Sequence, residues 1–332
     1  MSEIIRWGIL STAKIGVQKV IPAMQKSKLG KVTAICSRSL KNAQKTASEL
    51  GIEKAYSSYD ELLADPEIDA VYNPLPNHMH VEWTLKALQA GKHVLCEKPI
   101  GLNKAEAIYL QAEAAKFPGL KVMEAFMYRF HPQWQKVVEL IQSGAIGRVK
   151  TVQSFFSYYN VDPANIRNKP EIGGGALMDI GCYCISFPRF IFGEEPIAVS
   201  GSLDLDPEMG TDRLTSGILQ FSGGKSATFT CSTQLVPHQR AHILGDQGQI
   251  VVEIPVNAPP TEKTKITLIT KEKTEEILFD AVDQYSLQAD AFANSILNKK
   301  NAPTPLSDAI GNMAVIDAIK LSSETGKWVE LK

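Results

Sequence analysis

The stretch "EIGGGALMDIGCYCISFPRFIFG" sets an acid and a phenol, Asp179 and Tyr183, four residues apart in a strongly apolar run preceded by three glycines. On a helix that spacing puts both on one face. With apolar neighbours around them, both side chains are expected to be buried, where polar groups need partners. They can satisfy each other or the backbone as core residues, or they can act together on a proton and a bound hydroxyl. A third candidate is Lys98 in "GKHVLCEKPIGLN", which directly follows an apolar strand. At a strand's carboxyl end in an open α/β sheet a lysine points into the ligand crevice; before a turn it can equally be a surface charge. His78 and His80 form an H-x-H pair in "NPLPNHMHVEWTL", with neither acid nor cysteine placed to complete a metal site. His80 reads as a pocket residue and His78 as exposed, while Asn77 is placed to cap the helix that follows. No residue is assigned to a metal. The close cysteine pair, Cys182 and Cys184, matches no common zinc spacing and has no second pair.

These groups need a scaffold, and the sequence describes two. Its first part alternates short apolar runs, "IIRWGIL", "KVTAICS", "DAVYN", "HVLCE" and "LKVMEAF", with helix-like segments such as "SLKNAQKTASELG", "HVEWTLKALQAG" and "KAEAIYLQAEAAK". That alternation implies a doubly wound parallel sheet with helices on both faces, and the nearly continuous apolar runs suit strands covered on both sides. From about residue 145 the rhythm changes. "RVKTVQSFFSYY", "RLTSGILQF", "KSATFTCSTQL", "RAHIL", "GQIVVEI", "KITLIT" and "EEILF" read as closely spaced strands, with "FSGGKS" and "GDQG" as hairpin turns. Helical patterns recur at "ALMDIGCYCISFPRFIFG", "YSLQADAFANSILN" and "SDAIGNMAVIDAIKLSSE". The expected organisation is an α/β domain over 1–125 and an α+β domain over 126–332, the latter built on one large, mostly antiparallel sheet with helices on one face. A broad apolar face left bare usually marks an interface, so the second domain is expected to pair with another copy of the chain.

Where the first strand ends, "STAKIG" stands at the place of the G-x-G-x-x-G loop of a dinucleotide-binding fold. Only the last glycine, Gly16, is present; Ser11 and Ala13 take the other two places. The first small residue permits a sharp turn, the second lets backbone approach a pyrophosphate, and the third lets helix and sheet pack closely. Ser11 and Thr12 add hydroxyls, and the helix N-terminus adds free N–H groups that suit an anion. Taken alone, the loop is either a nucleotide site with small substitutes or an ordinary strand–helix corner. The end of the second strand, "AICSRSLKNA", carries no acid to hold the adenine ribose hydroxyls; Ser37, Arg38, Ser39 and Lys41 stand there instead. A carboxylate would repel a 2′-phosphate, whereas an arginine flanked by hydroxyls would grip one. The alternative is a solvated surface arginine. The first reading favours NADP over NAD.

Composition excludes other classes. At 332 residues the chain is long enough for two domains, and 44% hydrophobic residues suffice for packed interiors. A net charge of -1 shows no bias toward nucleic acid or a membrane surface. No run of about 18 consecutive apolar residues predicts a membrane span, and "MSEIIRWG" lacks the layout of a secretory signal. Five scattered cysteines suit reduced thiols in the cytoplasm better than a disulfide framework.

Taken together, "EKP", "MYRFHP" and "GGGALMDIGCY" make the chain resemble the Gfo/Idh/MocA family of oxidoreductases over essentially its whole length. The "RWGILSTAKI" loop, the "SRS" after the second strand and a tyrosine at position 183 are similar to its branch of NADP-dependent aldose (xylose-type) dehydrogenases and dimeric dihydrodiol dehydrogenases. The resemblance implies a Rossmann domain, a second domain whose open sheet forms a homodimer or homotetramer, and a cis Lys98–Pro99 bond. It implies that Ser11, Thr12, Ala13 and Ile15 line the cofactor loop, and that Pro74, Leu75, Asn77, His80, Glu97 and Lys98 line the nicotinamide side. Arg129, Arg167, Asp179 and Tyr183 would face the substrate.

The implied activity is hydride transfer between a nicotinamide and a sugar or cyclic diol, for which the protein supplies orientation and electrostatics. Tyr183 is the expected acid/base. A free phenol titrates at about 10; burial raises that value and a nearby Lys98 ammonium lowers it. Asp179 is expected to hold a sugar hydroxyl or to orient Tyr183, and Lys98 is the alternative proton carrier. Two other readings of the same fold are a non-enzymatic NADP-binding regulator and a glycosidase that uses a nicotinamide transiently. Which sugar or diol, the direction of reaction and the oligomer size are not encoded in any recognisable motif.

Overall fold

The structure, a computed structural model, describes residues 4–331. The first three residues, which enter the argument against a secretory signal, lie outside them. By packing, the chain divides into two units, one of Met1–Met127 with Asp283–Ile310 and one of Tyr128–Val282 with Gly311–Lys332.

The first unit is built on β1 (Ile5–Leu10), β2 (Gly30–Cys36), β3 (Lys54–Tyr56), β4 (Ala70–Asn73), β5 (His93–Cys96) and β6 (Val122–Glu124). They form one sheet in the order β3-β2-β1-β4-β5-β6, every pair parallel. The order reverses between β1 and β4, and ligands of open α/β sheets bind at such a switch point, beyond the carboxyl ends of the strands. β1 is buried at nearly every position, as a strand covered on both faces must be. Gly8 permits part of that cover, because a Cβ there would stand 2.7 Å from Cδ2 of Leu62. Three of the connecting helices start on side-chain caps: Ser39 accepts from Asn42 N–H, Ser58 from Glu61 N–H and Asn103 from Glu106 N–H.

One helix differs from the sequence-based division at 125/126. Gln284–Leu297, in the segment "YSLQADAFANSILN", packs with the first unit. Phe292 lies 5.9 Å from the Trp7 ring, and Oδ1 of Asp290 accepts from the N–H groups of Lys28 and Leu29 at 3.2 Å and from the Ser27 hydroxyl. An amphipathic helix records that it has a buried face, not which sheet buries it.

The second unit is a nine-stranded sheet of β7 (Val149–Tyr159), β8 (Ala198–Leu205), β9 (Asp212–Gln220), β10 (Ser226–Ser232), β11 (Gln234–Gly245), β12 (Gly248–Val252), β13 (Thr264–Thr270), β14 (Thr274–Phe279) and β15 (Val329–Glu330). Its order is β14-β13-β12-β11-β7-β10-β9-β8-β15, antiparallel except where β7 and β10 run parallel at the centre. Both expected turns are hairpins, joining β9 to β10 and β11 to β12. β8 and β15 carry no period-two signal of their own and were not expected.

Along β10 the side chains of Ala227, Phe229 and Cys231 are buried while Ser226, Thr228 and Thr230 are half-buried. Helix residues cover the first set: a Cβ at Gly217 would stand 3.0 Å from Cδ1 of Ile319, and one at Gly181 2.9 Å from Sγ of Cys231. On the opposite face Ile218 is 44% exposed. The apolar helical segment Pro170–Phe192 has the length and composition of a membrane span, but 78% of its most apolar window is buried as core. Its Arg189 is paired with Glu195 through two bonds of 2.6 Å. All five cysteines are buried and unlinked.

Candidate active site

Ser11 takes a backbone angle of φ 116°, a left-handed conformation that glycine ordinarily supplies. Its hydroxyl then accepts the N–H of Ala13 at 3.2 Å, closing the turn with a side-chain bond. Serine therefore fills the first glycine place of the loop by compensation. Ala13 keeps the second place small. At the third, a Cβ on Gly16 would meet Tyr72 and Pro74 at 3.7 and 3.8 Å, ordinary contact, so glycine is not demanded there. The helix that follows begins with a π-turn, Gly16–Val20. Thr12 and Ile15 are half-buried on the same loop.

Residue pairing of Leu10 with Cys36 sets the end of β1 beside the end of β2. Ser37 accepts the N–H of Ser39 at 3.3 Å and Ser39 caps the next helix, so the two serines shape the turn. Arg38 and Lys41 stand exposed on it. A cleft of ≈ 320 Å³ lies beside this turn, lined by Thr12 and Lys14 of the loop and by Asn42, Lys45, Thr46 and Glu49 of the helix. Small residues at the turn, hydroxyls and basic groups, with no carboxylate at the end of β2, fit a dinucleotide that carries a 2′-phosphate.

The remaining cofactor-side candidates gather beyond β4 and β5. Asn73, fully buried, directs them: its amide donates to the carbonyl of His80 at 3.2 Å and its oxygen accepts the N–H of Leu75 at 3.3 Å. Pro74 and Leu75 are buried, and Asn77 opens a 3₁₀ turn, Asn77–Met79, that leads into the helix beginning at His80. His80 is only 1% exposed, its Nδ1 2.7 Å from the Pro99 carbonyl and its Nε2 2.6 Å from that of Leu75. Burial pulls its pKa down to about 4, against the pull of both carbonyls. The imidazole thus sits buried between the two loops, and in its neutral form it donates to one of the two carbonyls; His78 is exposed.

Glu97 accepts the Tyr72 hydroxyl at 2.6 Å, and the Lys98 N–H reaches its other oxygen at 3.4 Å. The Lys98–Pro99 bond is cis. Glu124, buried at the end of β6, accepts the N–H of Ile100 at 2.7 Å and holds the far side of this loop.

In the second unit the apolar helix also opens on a π-turn, Leu177–Gly181, before the α-helix Cys182–Phe192. Such turns are frequent at functional sites, and the two among the described residues stand at the two candidate regions. Tyr183 is 5% exposed, its ring 6.1 Å from those of Tyr128 and Phe156. Asp179, expected to be buried, is half-buried. Its Oδ2 accepts the Tyr158 hydroxyl at 2.6 Å and Nε of Arg167 at 2.9 Å. Burial and the Asp179 carboxylate push the Tyr158 phenol well above its usual range, so it stays a donor. Arg129 donates to Oγ of Ser186, on the helix that carries Tyr183, at 2.8 Å and to the hydroxyl of its neighbour Tyr128 at 3.3 Å.

The networks also draw on residues outside the sequence-based set, among them Tyr72, Asn73 and Tyr158. Tyr72 and Asn73 read as the end of an apolar strand, and Tyr158 as one of two tyrosines closing another. Among the described residues no three His, Cys, Asp or Glu side chains converge as a metal site.

The pattern of the oxidoreductase family with an NAD-binding Rossmann fold matches residues 5–126, and that of the GFO/IDH/MocA C-terminal domain matches residues 134–251. D-xylose 1-dehydrogenase (NADP(+)) 2 of Haloferax volcanii is 38% identical over 328 residues, covering 98% of this chain and 99% of its own. Trans-1,2-dihydrobenzene-1,2-diol dehydrogenase of Xenopus tropicalis is 38% identical over 258 residues, 75% of each chain. The crystal structure of KijD10, a 3-ketoreductase from Actinomadura kijaniata, in complex with NADP and TDP-benzene, superposes with a TM-score of 0.90 at 29% identity, covering 96% of this chain and 98% of that one. With both of its regions matched in order, the chain belongs to the Gfo/Idh/MocA family of oxidoreductases.

Proposed function

We propose that the protein is an NADP-dependent dehydrogenase or reductase acting on a CH–OH group of a sugar, of aldose or pyranose type, or of a cyclic diol. The observation that carries this reading is the end of β1 and β2: a left-handed Ser11 turn at the sheet's switch point, next to a Ser37–Arg38–Ser39 turn without a carboxylate. A relative named for NADP and xylose, and a ketoreductase crystallised with NADP, support the same cofactor and substrate class.

The nicotinamide, when bound, accepts or supplies the hydride. Ser11, Thr12, Ala13 and Ile15 take the phosphates; Ser37, Arg38, Ser39 and Lys41 take the 2′-phosphate. Pro74, Leu75, Asn77 and Glu97 shape the nicotinamide side, with His80 fastening it. Asp179, presented by Tyr158 and Arg167, accepts a substrate hydroxyl; Arg129 and Arg167 add donors. Tyr183 holds or takes the proton of the reacting oxygen and Lys98 stabilises the charge that develops on it. Crystal structures of KijD10 include one tyrosine-to-phenylalanine variant and variants of one lysine, the two residue types given these roles.

We assign the bare sheet face around Ile218 to homo-oligomer formation and, from five buried free thiols, place the protein in a reducing compartment such as the cytoplasm. The deciding experiment follows NADP and NAD reduction by absorbance across a panel of aldoses and cyclic diols. Turnover with NADP preferred over NAD is expected. NADP binding without turnover on any member would sink the enzymatic reading in favour of a regulator, and a redox-neutral conversion would point to a glycosidase.

A further inference from the structure

We propose that Asp212 is a positioning residue: it latches the first turn of the helix that carries Asp179 and Tyr183. Asp212 begins β9 and is only 6% exposed. Its Oδ2 accepts the backbone N–H of Leu177 at 2.7 Å and the hydroxyl of Thr215 at 2.7 Å. The first N–H groups of a helix have no partner within it, and a carboxylate is the strongest acceptor that can be supplied there.

The three-glycine run is shaped to admit this latch. Gly175 has φ +111°, and a Cβ on it would run into Oδ1 of Asp212. A Cβ on Gly174 would stand 2.5 Å from the Arg167 carbonyl, which in turn accepts the Gly175 N–H at 2.8 Å. The Gly175 carbonyl accepts the N–H of Asp179 at 3.0 Å. Asp212 therefore holds from beneath the turn on which Arg167 and Asp179 meet, with no part in the chemistry itself.

The inference rests on the reading that Asp179 and Tyr183 act on the substrate, and its test separates the two. Asp212→Ala, Asp212→Asn and Gly175→Ala are compared with the unmodified protein in three measurements: NADPH affinity by fluorescence, steady-state kinetics, and backbone amide exchange over 175–181. Asp212→Ala is expected to lower kcat at least tenfold with NADPH affinity within twofold, and to speed exchange at Leu177 and Asp179 at least tenfold. Asp212→Asn, which keeps an acceptor oxygen, recovers most of both. Gly175→Ala, whose Cβ would displace the Asp212 carboxyl from the turn while leaving residue 212 unchanged, repeats the alanine result and stands in if Asp212→Ala does not fold. Unchanged exchange in Asp212→Ala and Gly175→Ala overturns the latch, whatever the activity. Faster exchange with kcat within threefold overturns the positioning role alone. A protein inactive on every substrate overturns the functional reading, while the exchange arm still decides the latch.

Discussion

Tyr158 donates its phenol hydrogen to Oδ2 of Asp179 at 2.6 Å, although one residue lies in the central strand β7 and the other in the π-turn of the apolar helix. The same oxygen takes Nε of Arg167 at 2.9 Å. Two donors on one oxygen hold the carboxylate in place, which is what a group needs if it is to accept a hydroxyl in one orientation.

Removing one donor should therefore weaken substrate binding and leave the nucleotide alone. Tyr158→Phe is expected to raise the substrate KM about tenfold or more, since a hydrogen bond to a charged group contributes about 1.5–3 kcal/mol. The NADP KM should stay within twofold. An unchanged substrate KM in Tyr158→Phe would remove Asp179 from the substrate site.

The proton assignment separates two residues. General acid–base catalysis contributes about 10²–10⁴-fold, so Tyr183→Phe is expected to cost turnover on that scale. Lys98→Met should also be impaired. If Tyr183→Phe turned over nearly normally while Lys98→Met did not, the proton would belong to the lysine.

Arg38 is exposed at the end of β2 and available to a 2′-phosphate. Arg38→Ala is expected to raise the NADP KM about tenfold or more, the loss of a charge-assisted contact, while the NAD KM hardly moves. Equal changes for both nucleotides would mean that this arginine does not read the phosphate.

A structural carboxylate sets the acid limit of the first unit. Burial pushes the pKa of Asp65 up, but Lys54 Nζ at 2.8 Å, the Tyr56 hydroxyl at 2.7 Å and the Glu67 N–H outweigh it and hold it at about 2. A carboxyl whose folded value lies below its unfolded value of about 3.9 stabilises the fold above that pH and loses the contribution as pH falls through the folded value. Stability should thus decline between about pH 4 and 2, and Asp65→Asn should be less stable at neutral pH but flatter across that window. Urea midpoints at pH 7, 4, 3 and 2.5 measure it; parallel curves for the two proteins would contradict the assignment.

Much of the candidate site was legible because the residues proposed for it are clustered locally. The turn after β1, the Ser37–Arg38–Ser39 end of β2 and the Glu97–Lys98–Pro99 segment each lie within a few residues of a strand end, and a parallel sheet collects strand ends at one edge. Gly16 was read as a packing requirement and is not one, while Gly8, inside β1, is; which glycine faces a neighbouring side chain depends on a neighbour more than 50 residues away in sequence.

From its periodicities and small residues alone, the chain determined a parallel α/β sheet, a larger antiparallel sheet and a phosphate-suited loop, because repeat period and turn residues are set by nearest neighbours along the backbone. Only the tertiary structure decided that Ser11 adopts a glycine's angle, that Gln284–Leu297 joins the first sheet, and that Tyr158 and Asp212 serve the helix of Asp179. Those choices depend on which distant surfaces bury one another, and a pattern of polar and apolar residues states that a face is buried without naming its partner.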